Sequence, residues 1–287
     1  MTRRIQMLII DPQNDFCDLP DDWQPIDPVT GQRRVPALPV KGAHADMQRL
    51  AQLVDAGKAG ISDIIVTLDS HHRLDVAHPL FWVTGEGGDV QPFITITAQQ
   101  VRDGLYRPRQ AEALPRVLAY LDELENRGRY TLMIWPVHCE IGTWGHNVHA
   151  DVMAACNRWE EANWSVVQQI YKGANPWTEH YSAMQAEVPD AEDPDTQLDR
   201  ALIAQLDLAD VLLIAGEASS HCVKATTEHI VDNLPSGKLD KIVLLTDCMS
   251  PVGGFEPQAE AFLAAMRDRG VRLATSLEVL PWLQANA

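Results

Sequence analysis

Three residues of complementary chemistry follow separate apolar runs of this 287-residue sequence. Cys222 follows the run 211–216 and opens a segment with helical spacing, so a thiolate there would face the unpaired N–H groups of a helix start. Asp11 directly follows another run, where a partly desolvated carboxylate can serve as a general base. Lys172 closes a third run, and a lysine beside a cysteine lowers the pKa of the thiol. Together they predict a cysteine nucleophile with its base and a neighbouring positive charge.

Each of these residues also has a structural interpretation that the sequence leaves open. Free cysteine is among the most buried residue types and is usually inert packing. An aspartate after a strand can cap a turn, and most lysines are solvated surface charges. The catalytic interpretation of Cys222 therefore depends on Asp11 and Lys172 lying beside it in the fold.

A second group of residues has the composition of a metal site. Asp69 and His71 stand two residues apart after an apolar run, where both can face one ion, and His138 would complete a three-ligand open site of catalytic type. His78 is a further candidate ligand, for which exposure at the surface is the alternative. Capping of a turn is the alternative for Asp69. Zinc is the expected ion, with iron and manganese as alternatives that the same ligand types accept.

These side chains need a scaffold that brings distant segments together, and the apolar runs predict one. Six short runs are typical of strands buried on both faces: 7–10, 64–68, 130–134, 166–170, 211–215 and 242–245. Amphipathic stretches with helical spacing lie between most of them, at 47–54, 198–206 and 259–267. Strands that alternate with helices indicate a parallel sheet. The predicted fold class is therefore α/β, a three-layer, doubly wound, Rossmann-like fold with a mainly parallel sheet of about six strands.

In such a sheet, ligands bind beyond the carboxyl ends of the strands. The polar residues that follow the predicted strands are then expected to converge on one edge: Asp11, Asp69, 135–138, Lys172, Cys222 and Asp247. Two segments interrupt the alternation, 20–39 and 83–129, and are predicted to be insertions in a single domain spanning 1–287. The second contains a helix-like stretch at 111–126, and we expect it to cover an edge of the cleft.

Composition and charge exclude several classes of function. The sequence holds 23 Lys and Arg against 40 Asp and Glu, and its net charge of -17 would repel phosphate backbones and anionic lipid headgroups. No apolar run approaches the length of a membrane span, and the first run is too short for a signal peptide. Five widely spaced cysteines fit a reducing compartment, so we expect a cytoplasmic protein without nucleic-acid or membrane partners.

Three motifs resemble those of the cysteine hydrolase superfamily of isochorismatases and nicotinamidases. They are Asp11-Pro12-Gln13-Asn14-Asp15-Phe16, Tyr171-Lys172-Gly173-Ala174 and His221-Cys222-Val223-Lys224-Ala225-Thr226. The resemblance spans most of the chain and implies an isochorismatase-like fold in which Asp11, Lys172 and Cys222 form the catalytic triad. It also implies a cis peptide at Glu217-Ala218, which turns the Ala218 and Cys222 N–H groups toward one point as an oxyanion hole. Family habit further implies a homo-oligomer.

Two more motifs are similar to the metal-binding motifs of nicotinamidases in particular. They are Asp69-Ser70-His71 and Trp135-Pro136-Val137-His138-Cys139, the latter followed by Gly142-Thr143-Trp144-Gly145. The likeness implies one divalent transition metal on Asp69, His71 and His138, with His78 as a fourth ligand found in some members. The metal would hold the ring nitrogen of the substrate directly or through water. Phe16 and Trp135 would sandwich that ring, and His221 is placed with them as a substrate-binding residue.

The function that this resemblance implies is that of a nicotinamidase-like amidohydrolase. Such an enzyme hydrolyses a small pyridine carboxamide to the acid and ammonia through a cysteine thioester, a reaction of NAD salvage. Two segments depart from the family pattern, the loop 175–181 and the long insertion 83–129, so the small-molecule amide substrate stays open. The alternatives are a related cysteine amidohydrolase of N-carbamoyl or biuret-like substrates and a non-catalytic metal-binding homologue.

Overall fold

Ten strands and eight α-helices are distributed along residues 2–287, the part of the chain that this computed structural model describes. The strands are β1 (Ile5–Ile10), β2 (Asp63–Asp69), β3 (Trp82–Thr84), β4 (Ile94–Ile96), β5 (Tyr106–Pro108), β6 (Leu132–Ile134), β7 (Gln168–Lys172), β8 (Val211–Gly216), β9 (Ile242–Leu245) and β10 (Arg272–Ala274). The helices are α1 (Ala43–Gly57), α2 (Ala98–Arg102), α3 (Leu114–Arg127), α4 (Ala150–Asn163), α5 (Arg200–Leu206), α6 (Cys222–Asn233), α7 (Glu256–Asp268) and α8 (Ser276–Gln284).

Six of the strands form a parallel sheet in the order β10-β9-β8-β1-β2-β7. From β1 the chain first builds outward through β2 to β7, and it then returns to the other side of β1 to build β8, β9 and β10. The strand order therefore reverses between β1 and β8. In a doubly wound sheet, this switch point opens a crevice at the carboxyl ends of the two strands.

Helices cover both faces of this sheet, because side chains alternate between the two faces along each strand. Leu8 and Ile10 of β1 pack into a core cluster that includes residues of α5, α6 and α7. Met7 and Ile9 of the same strand pack into a second cluster with residues of α1, α4 and α8. The predicted three-layer α/β fold with a six-stranded parallel sheet is thus confirmed.

Three details of the strand prediction are wrong. The run 130–134 does not join the central sheet, because its β6 pairs antiparallel with β4 from within the segment 83–129. The sixth central strand is instead β10, which is only three residues long and begins with the exposed Arg272. The run 166–170 does contribute β7, but β7 is an edge strand in which Gln169 and Tyr171 are exposed.

The two segments predicted as insertions have structure of their own. Residues 20–39 contain a short 3-10 turn and an isolated bridge between Ile26 and Arg33, and they connect β1 to α1. Residues 83–129 contain β4, β5, α2 and α3, and α3 confirms the helix predicted at 111–126. That the chain forms a single domain stays a prediction. Among residues 2–287, no helix has both the length and the apolar character needed to cross a membrane.

Candidate active site

The predicted nucleophile lies at the switch point of the sheet. Cys222 is the first residue of α6 and is buried, with only 6% of its surface exposed. A turn of five residues connects it to the end of β8, and the peptide bond between Glu217 and Ala218 in that turn is cis. The backbone N–H groups of Ala218 and Cys222 donate no hydrogen bond to any other group of residues 2–287. They are therefore free donors beside the thiol.

Asp11 and Lys172 reach this thiol from neighbouring strands. Asp11 follows β1 with a left-handed backbone (φ 45°), and its Oδ1 accepts a hydrogen bond of 2.6 Å from Thr67 Oγ1 on β2. Lys172 ends β7, and its Nζ lies 3.0 Å from Asp11 Oδ2 and 3.7 Å from Cys222 Sγ. Asp11 also lies close enough to Cys222 to raise the pKa of its thiol. The structure thus brings the three predicted triad residues together, with Lys172 in contact with both Asp11 and Cys222.

Burial decides the resting charges in this cluster. It raises the pKa of the Cys222 thiol well above its ordinary value, and the opposing effect of Lys172 does not cancel it. Burial also raises the pKa of Asp11, against the lowering effect of Lys172. Burial alone would lower the pKa of Lys172, but Asp11 and Asp69 hold it well above its ordinary range. As expected, Lys172 by itself lowers the pKa of the Cys222 thiol. The net pKa is nevertheless raised, so the thiol keeps its proton until a base removes it.

A single carboxylate connects this cluster to the predicted metal site. Asp69 ends β2, and its Oδ1 accepts a hydrogen bond of 2.9 Å from Lys172 Nζ. Its other oxygen, Oδ2, lies 3.0 Å from His71 Nε2 and 3.3 Å from His138 Nε2. Burial would raise the pKa of Asp69, but His71 and Lys172 lower it well below the ordinary value, so the carboxylate is ionised.

The two histidines are oriented as metal ligands commonly are. The second ring nitrogen of His71, Nδ1, lies 3.1 Å from Asp75 Oδ2, and that of His138 lies 2.8 Å from the Pro136 carbonyl oxygen. An Nδ1–H that donates to such an acceptor leaves the Nε2 lone pair free to bind a cation. Candidate ligand atoms of Asp69, His71 and His138 all lie within 4.8 Å of one another. The arrangement therefore fits a divalent transition metal with three protein ligands.

His78 lies beside these three residues without joining their group of ligand atoms. Its ring centroid is 5.1 Å from that of His71 and 5.4 Å from that of His138. The side chain is fully buried, and neither ring nitrogen meets a hydrogen-bond partner among residues 2–287. Burial, together with His138 and His71, lowers its pKa to about 3, so the ring is neutral at physiological pH. Its role as a fourth ligand stays a prediction.

One pocket joins the thiol to the predicted metal site. Phe16 and Trp135, predicted to hold the substrate ring, line it together with His221. The indole N–H of Trp135 donates a hydrogen bond of 3.0 Å to Tyr181 Oη, which fixes one aromatic wall. The complete lining is Phe16, Leu38, Asp69, Trp135, His138, Glu179, Tyr181, Ala218, His221, Cys222 and Val252. A mainly apolar and aromatic lining with a few polar groups is typical of a small-molecule site.

Several residues of the site were not identified in the sequence. Glu179 lines the pocket, and burial raises the pKa of its carboxyl group. Its Oε1 accepts a hydrogen bond from the His180 N–H, whereas no donor of residues 2–287 reaches Oε2. Glu179 and Tyr181 belong to the loop 175–181. The departure of this loop from the family pattern was the feature of the sequence that could have indicated them. Leu38 belongs to the segment 20–39. Thr67 lies inside a strand, so nothing in the sequence marked it as a residue of the site.

Two expectations about the surroundings of the pocket need correction. Asp247 follows β9 but does not reach the pocket, because its carboxylate accepts hydrogen bonds of 2.7 and 2.6 Å from the N–H and hydroxyl of Ser276 at the start of α8. The segment 83–129 contributes no residue to the pocket lining. It reaches a neighbouring groove instead through Thr95 and Arg129, and that groove shares Tyr181 and His221 with the pocket.

Comparison with known proteins identifies solved structures that share this fold. No protein-family model matches the chain, and no curated protein sequence matches it. Yeast nicotinamidase Pnc1p, solved with the inhibitor nicotinaldehyde, is 18% identical with a TM-score of 0.62, and the match covers 94% of this chain and 99% of that one. The pyrazinamidase of Pyrococcus horikoshii, solved in complex with zinc, is 18% identical with a TM-score of 0.51, covering 95% of this chain and 99% of that one.

A third solved structure extends the comparison. An isochorismatase-like hydrolase from Alkaliphilus metalliredigens is 13% identical with a TM-score of 0.52, and the match covers 98% of each chain. The chain therefore has the fold shared by nicotinamidases and isochorismatase-like hydrolases.

Proposed function

We propose that the protein is a nicotinamidase-like amidohydrolase that hydrolyses a small pyridine carboxamide to the acid and ammonia. The observation that carries the proposal is that Asp69 contacts both the predicted triad and the predicted metal site. One oxygen of this carboxylate holds Lys172 beside the Cys222 thiol, and the other faces two histidines across the same pocket. A substrate in the pocket would therefore meet a nucleophile and a metal site together. Nicotinamidases and a zinc-containing pyrazinamidase with the same fold support this substrate class.

The reaction begins with proton transfer from the Cys222 thiol to the Asp11 carboxylate, and Lys172 Nζ contacts both groups. Lys172 stabilises the thiolate, whose sulfur attacks the carboxamide carbon and forms the C–S bond. The negative charge on the tetrahedral oxygen is met by the two free backbone N–H groups of Ala218 and Cys222. Each such donor contributes roughly 3 to 4 kcal/mol in comparable sites.

The second half of the reaction reverses these roles. Asp11 returns its proton to the departing nitrogen, the C–N bond breaks, and ammonia leaves a thioester on Cys222. The same carboxylate then takes a proton from water, which attacks the thioester carbon. The C–S bond breaks, the thiol regains its proton, and the acid is released. Asp11 thus alternates between base and acid, for which a raised pKa is suited.

Asp69, His71 and His138 would hold the metal ion, and His78 is the further candidate. When bound, the metal supplies a positively charged position that orients the ring of the substrate. Zinc is the expected ion, with iron and manganese as alternatives. The ring would lie between Phe16 and Trp135, near His221. A cytoplasmic role in NAD salvage and a homo-oligomeric state stay predictions.

A second candidate function rests on Glu179. Its Oε2 is a buried acceptor in the pocket that no donor of residues 2–287 reaches. An N-carbamoyl or biuret-like substrate carries N–H groups beyond the scissile amide that could donate to it, since buried acceptors need partners. A non-catalytic metal-binding homologue is the third possibility, and it would have no use for the base and lysine that surround the thiol.

The proposal is tested by measuring ammonia release from nicotinamide, pyrazinamide, an N-carbamoyl amino acid and biuret, with and without a chelator. We expect the pyridine and pyrazine amides to be hydrolysed fastest. Cys222→Ala should lower turnover by at least about 10⁴-fold, since it removes the nucleophile, while the metal content is unchanged. Cys156→Ala, at a buried cysteine on α4, is the matched control and should keep normal turnover. Turnover by Cys222→Ala at the normal rate would refute the mechanism, and preference for biuret would favour the second function.

A further inference from the structure

Two carboxyl groups lie buried behind the turn that leads from β8 to Cys222. Glu217 begins this turn and is fully buried, and Asp46 of α1 is 2% exposed. Both carboxyl groups accept a hydrogen bond from Ser250, and each affects the pKa of the other. The proposed mechanism uses neither of them, and neither lines the pocket.

Ser250 connects both carboxyl groups to the turn. Its N–H donates a hydrogen bond of 3.1 Å to Glu217 Oε2, and its hydroxyl donates one of 2.5 Å to Asp46 Oδ2. The Ser250 carbonyl oxygen in turn accepts a hydrogen bond of 2.9 Å from the Ser219 N–H. Two residues further on, the Val252 N–H donates one of 3.0 Å to Ser220 Oγ. Residues 250–252 therefore hold the turn at three of its positions, 217, 219 and 220.

The carboxyl pair must hold a proton to remain together. Arg49 of α1 is paired with Asp46 Oδ1, so it balances one negative charge and leaves a second carboxylate without a counterion. Oε1 of Glu217 receives no hydrogen bond from a neutral or cationic donor of residues 2–287, so it can carry the proton and donate it to Asp46. Burial, and then Asp46, raise the pKa of Glu217 well above its ordinary value. Asp18, Cys17 and Cys248 are further titratable groups near the pair.

We propose that Glu217 is a positioning residue, whose buried carboxyl group, bonded to the Ser250 N–H, holds the turn that carries the Ala218 and Cys222 N–H groups. The Glu217 carboxyl accepts from Ser250 and does not line the pocket, whereas the next residue, Ala218, lines the pocket and has a free N–H. The hydrogen bond between the Ser250 N–H and the Glu217 carboxyl thus orients the Ala218 N–H, which is a donor to the oxyanion. The inference rests on the proposed function, because the turn matters only if an oxyanion forms there.

The test separates formation of the thiolate from stabilisation of the oxyanion. Alkylation of Cys222 by iodoacetamide needs the thiolate but forms no oxyanion. Acylation by p-nitrophenyl acetate needs both: the C–S bond forms, the ester C–O bond breaks, and p-nitrophenolate leaves. We expect Glu217→Ala to slow acylation by about 10²-fold, while alkylation stays within about threefold. Glu217→Gln should keep both rates within about threefold, because its amide can donate to Asp46 and accept from Ser250 as the protonated acid does.

Several controls make the outcome decisive. Glu187→Ala, at a second buried glutamate outside the pocket, should change neither rate. If Glu217→Ala fails to fold, as judged by circular dichroism and thermal melting, Glu217→Met fills the same space and is used in its place. Equal slowing of both reactions, no slowing of either, or a Glu217→Gln variant as slow as the alanine variant would each overturn the proposal. Because the ester assay needs no amide substrate, an enzyme that hydrolyses no amide in the panel can still confirm the role of Glu217.

Discussion

The sharing of Asp69 has a direct consequence at the scale of single residues. Lys172 and the two histidines compete for the negative charge of this carboxylate. A substitution beside Lys172 therefore changes the electrostatic environment of the histidines, and the reverse also holds. Asp11 is the second buried carboxylate beside Lys172, and the ammonium group lies between them. The thiol therefore borders a compact charge network rather than an isolated base. Residues that only orient this network should matter almost as much as those that contact substrate.

Asp75 provides a test of that idea at the metal site. Its Oδ2 accepts from His71 Nδ1, and its Oδ1 accepts a hydrogen bond of 2.9 Å from the Ala77 N–H. Asp75→Asn can keep the second bond but replaces the acceptor for His71 by an NH₂ donor. We expect the affinity for zinc to fall by about 10- to 100-fold, measured by competition with a chromogenic chelator. Asp193→Asn, where Oδ1 similarly accepts from an N–H two residues on, is the control and should bind zinc normally. An unchanged affinity of Asp75→Asn would rule out the orienting role of Asp75.

Sequence patterns indicated the residues of the predicted triad and metal site, which the structure brings together, but not the residues that support them. Asp11, Lys172 and Cys222 each follow an apolar run, so their types and positions were visible. Thr67 and Glu217 gave no such signal, because a threonine inside a strand and a glutamate in a turn are common. Their partners lie 56 residues away for Thr67 and 33 for Glu217, at Ser250. Such pairings depend on the register of the sheet, which short motifs do not encode.

At the scale of elements, the strands next to the switch point were predicted most reliably. The residues of β1 and β8 are buried throughout, so their apolar runs are continuous and easily recognised. The edge strands were predicted poorly, because one side of an edge strand meets solvent and its residues are mixed. Thus β7 begins two residues later than its apolar run, and the three-residue β10 was missed. The run 130–134 was misplaced, because a buried apolar segment can equally pair with a strand from an insertion.

The long connection between β7 and α5 contains a titratable group that makes stability depend on pH. Glu187 is 3% exposed, and its Oε1 meets no donor among residues 2–287. Burial, opposed by Arg129, raises its pKa from 4.5 to about 7. The folded protein therefore binds a proton between pH 4.5 and 7 that the unfolded chain has released, so this group's contribution to stability is full below pH 4.5 and is lost as the pH rises through 7.

Glu187→Gln removes this proton uptake without changing the shape of the side chain. Relative to the wild type, the variant should gain about 3 kcal/mol in free energy of unfolding between pH 4.5 and 7.5. Urea denaturation at a series of pH values measures the difference. Glu112→Gln, at an exposed position before α3, is the control and should show no such gain. A difference between variant and wild type that does not change with pH would contradict the burial of an unpartnered carboxyl group at Glu187.

At the scale of the whole molecule, the candidate metal site joins segments that are far apart in sequence. Asp69 ends a central strand, His71 lies in the loop that follows it, and His138 follows a strand outside the central sheet. A metal ion on these ligands would tie the segment after β6 to the sheet. A ligand that binds only the folded state stabilises it by mass action, about 2.7 kcal/mol when present at 100 times its dissociation constant.

Metal removal should therefore lower the thermal stability of the entire chain. We expect treatment with a chelator to lower the melting temperature by about 5 °C or more, measured by differential scanning calorimetry, and added zinc to restore it. His138→Ala should melt at the same temperature with and without the chelator, because it lacks one of the three ligands. His44→Ala changes a histidine of α1 whose ring contacts His149 outside the site, so it should keep the full metal-dependent shift. If neither the chelator nor added zinc changes the melting temperature of the wild-type protein, no metal ion binds at Asp69. A group other than a metal ion would then have to hold the substrate ring.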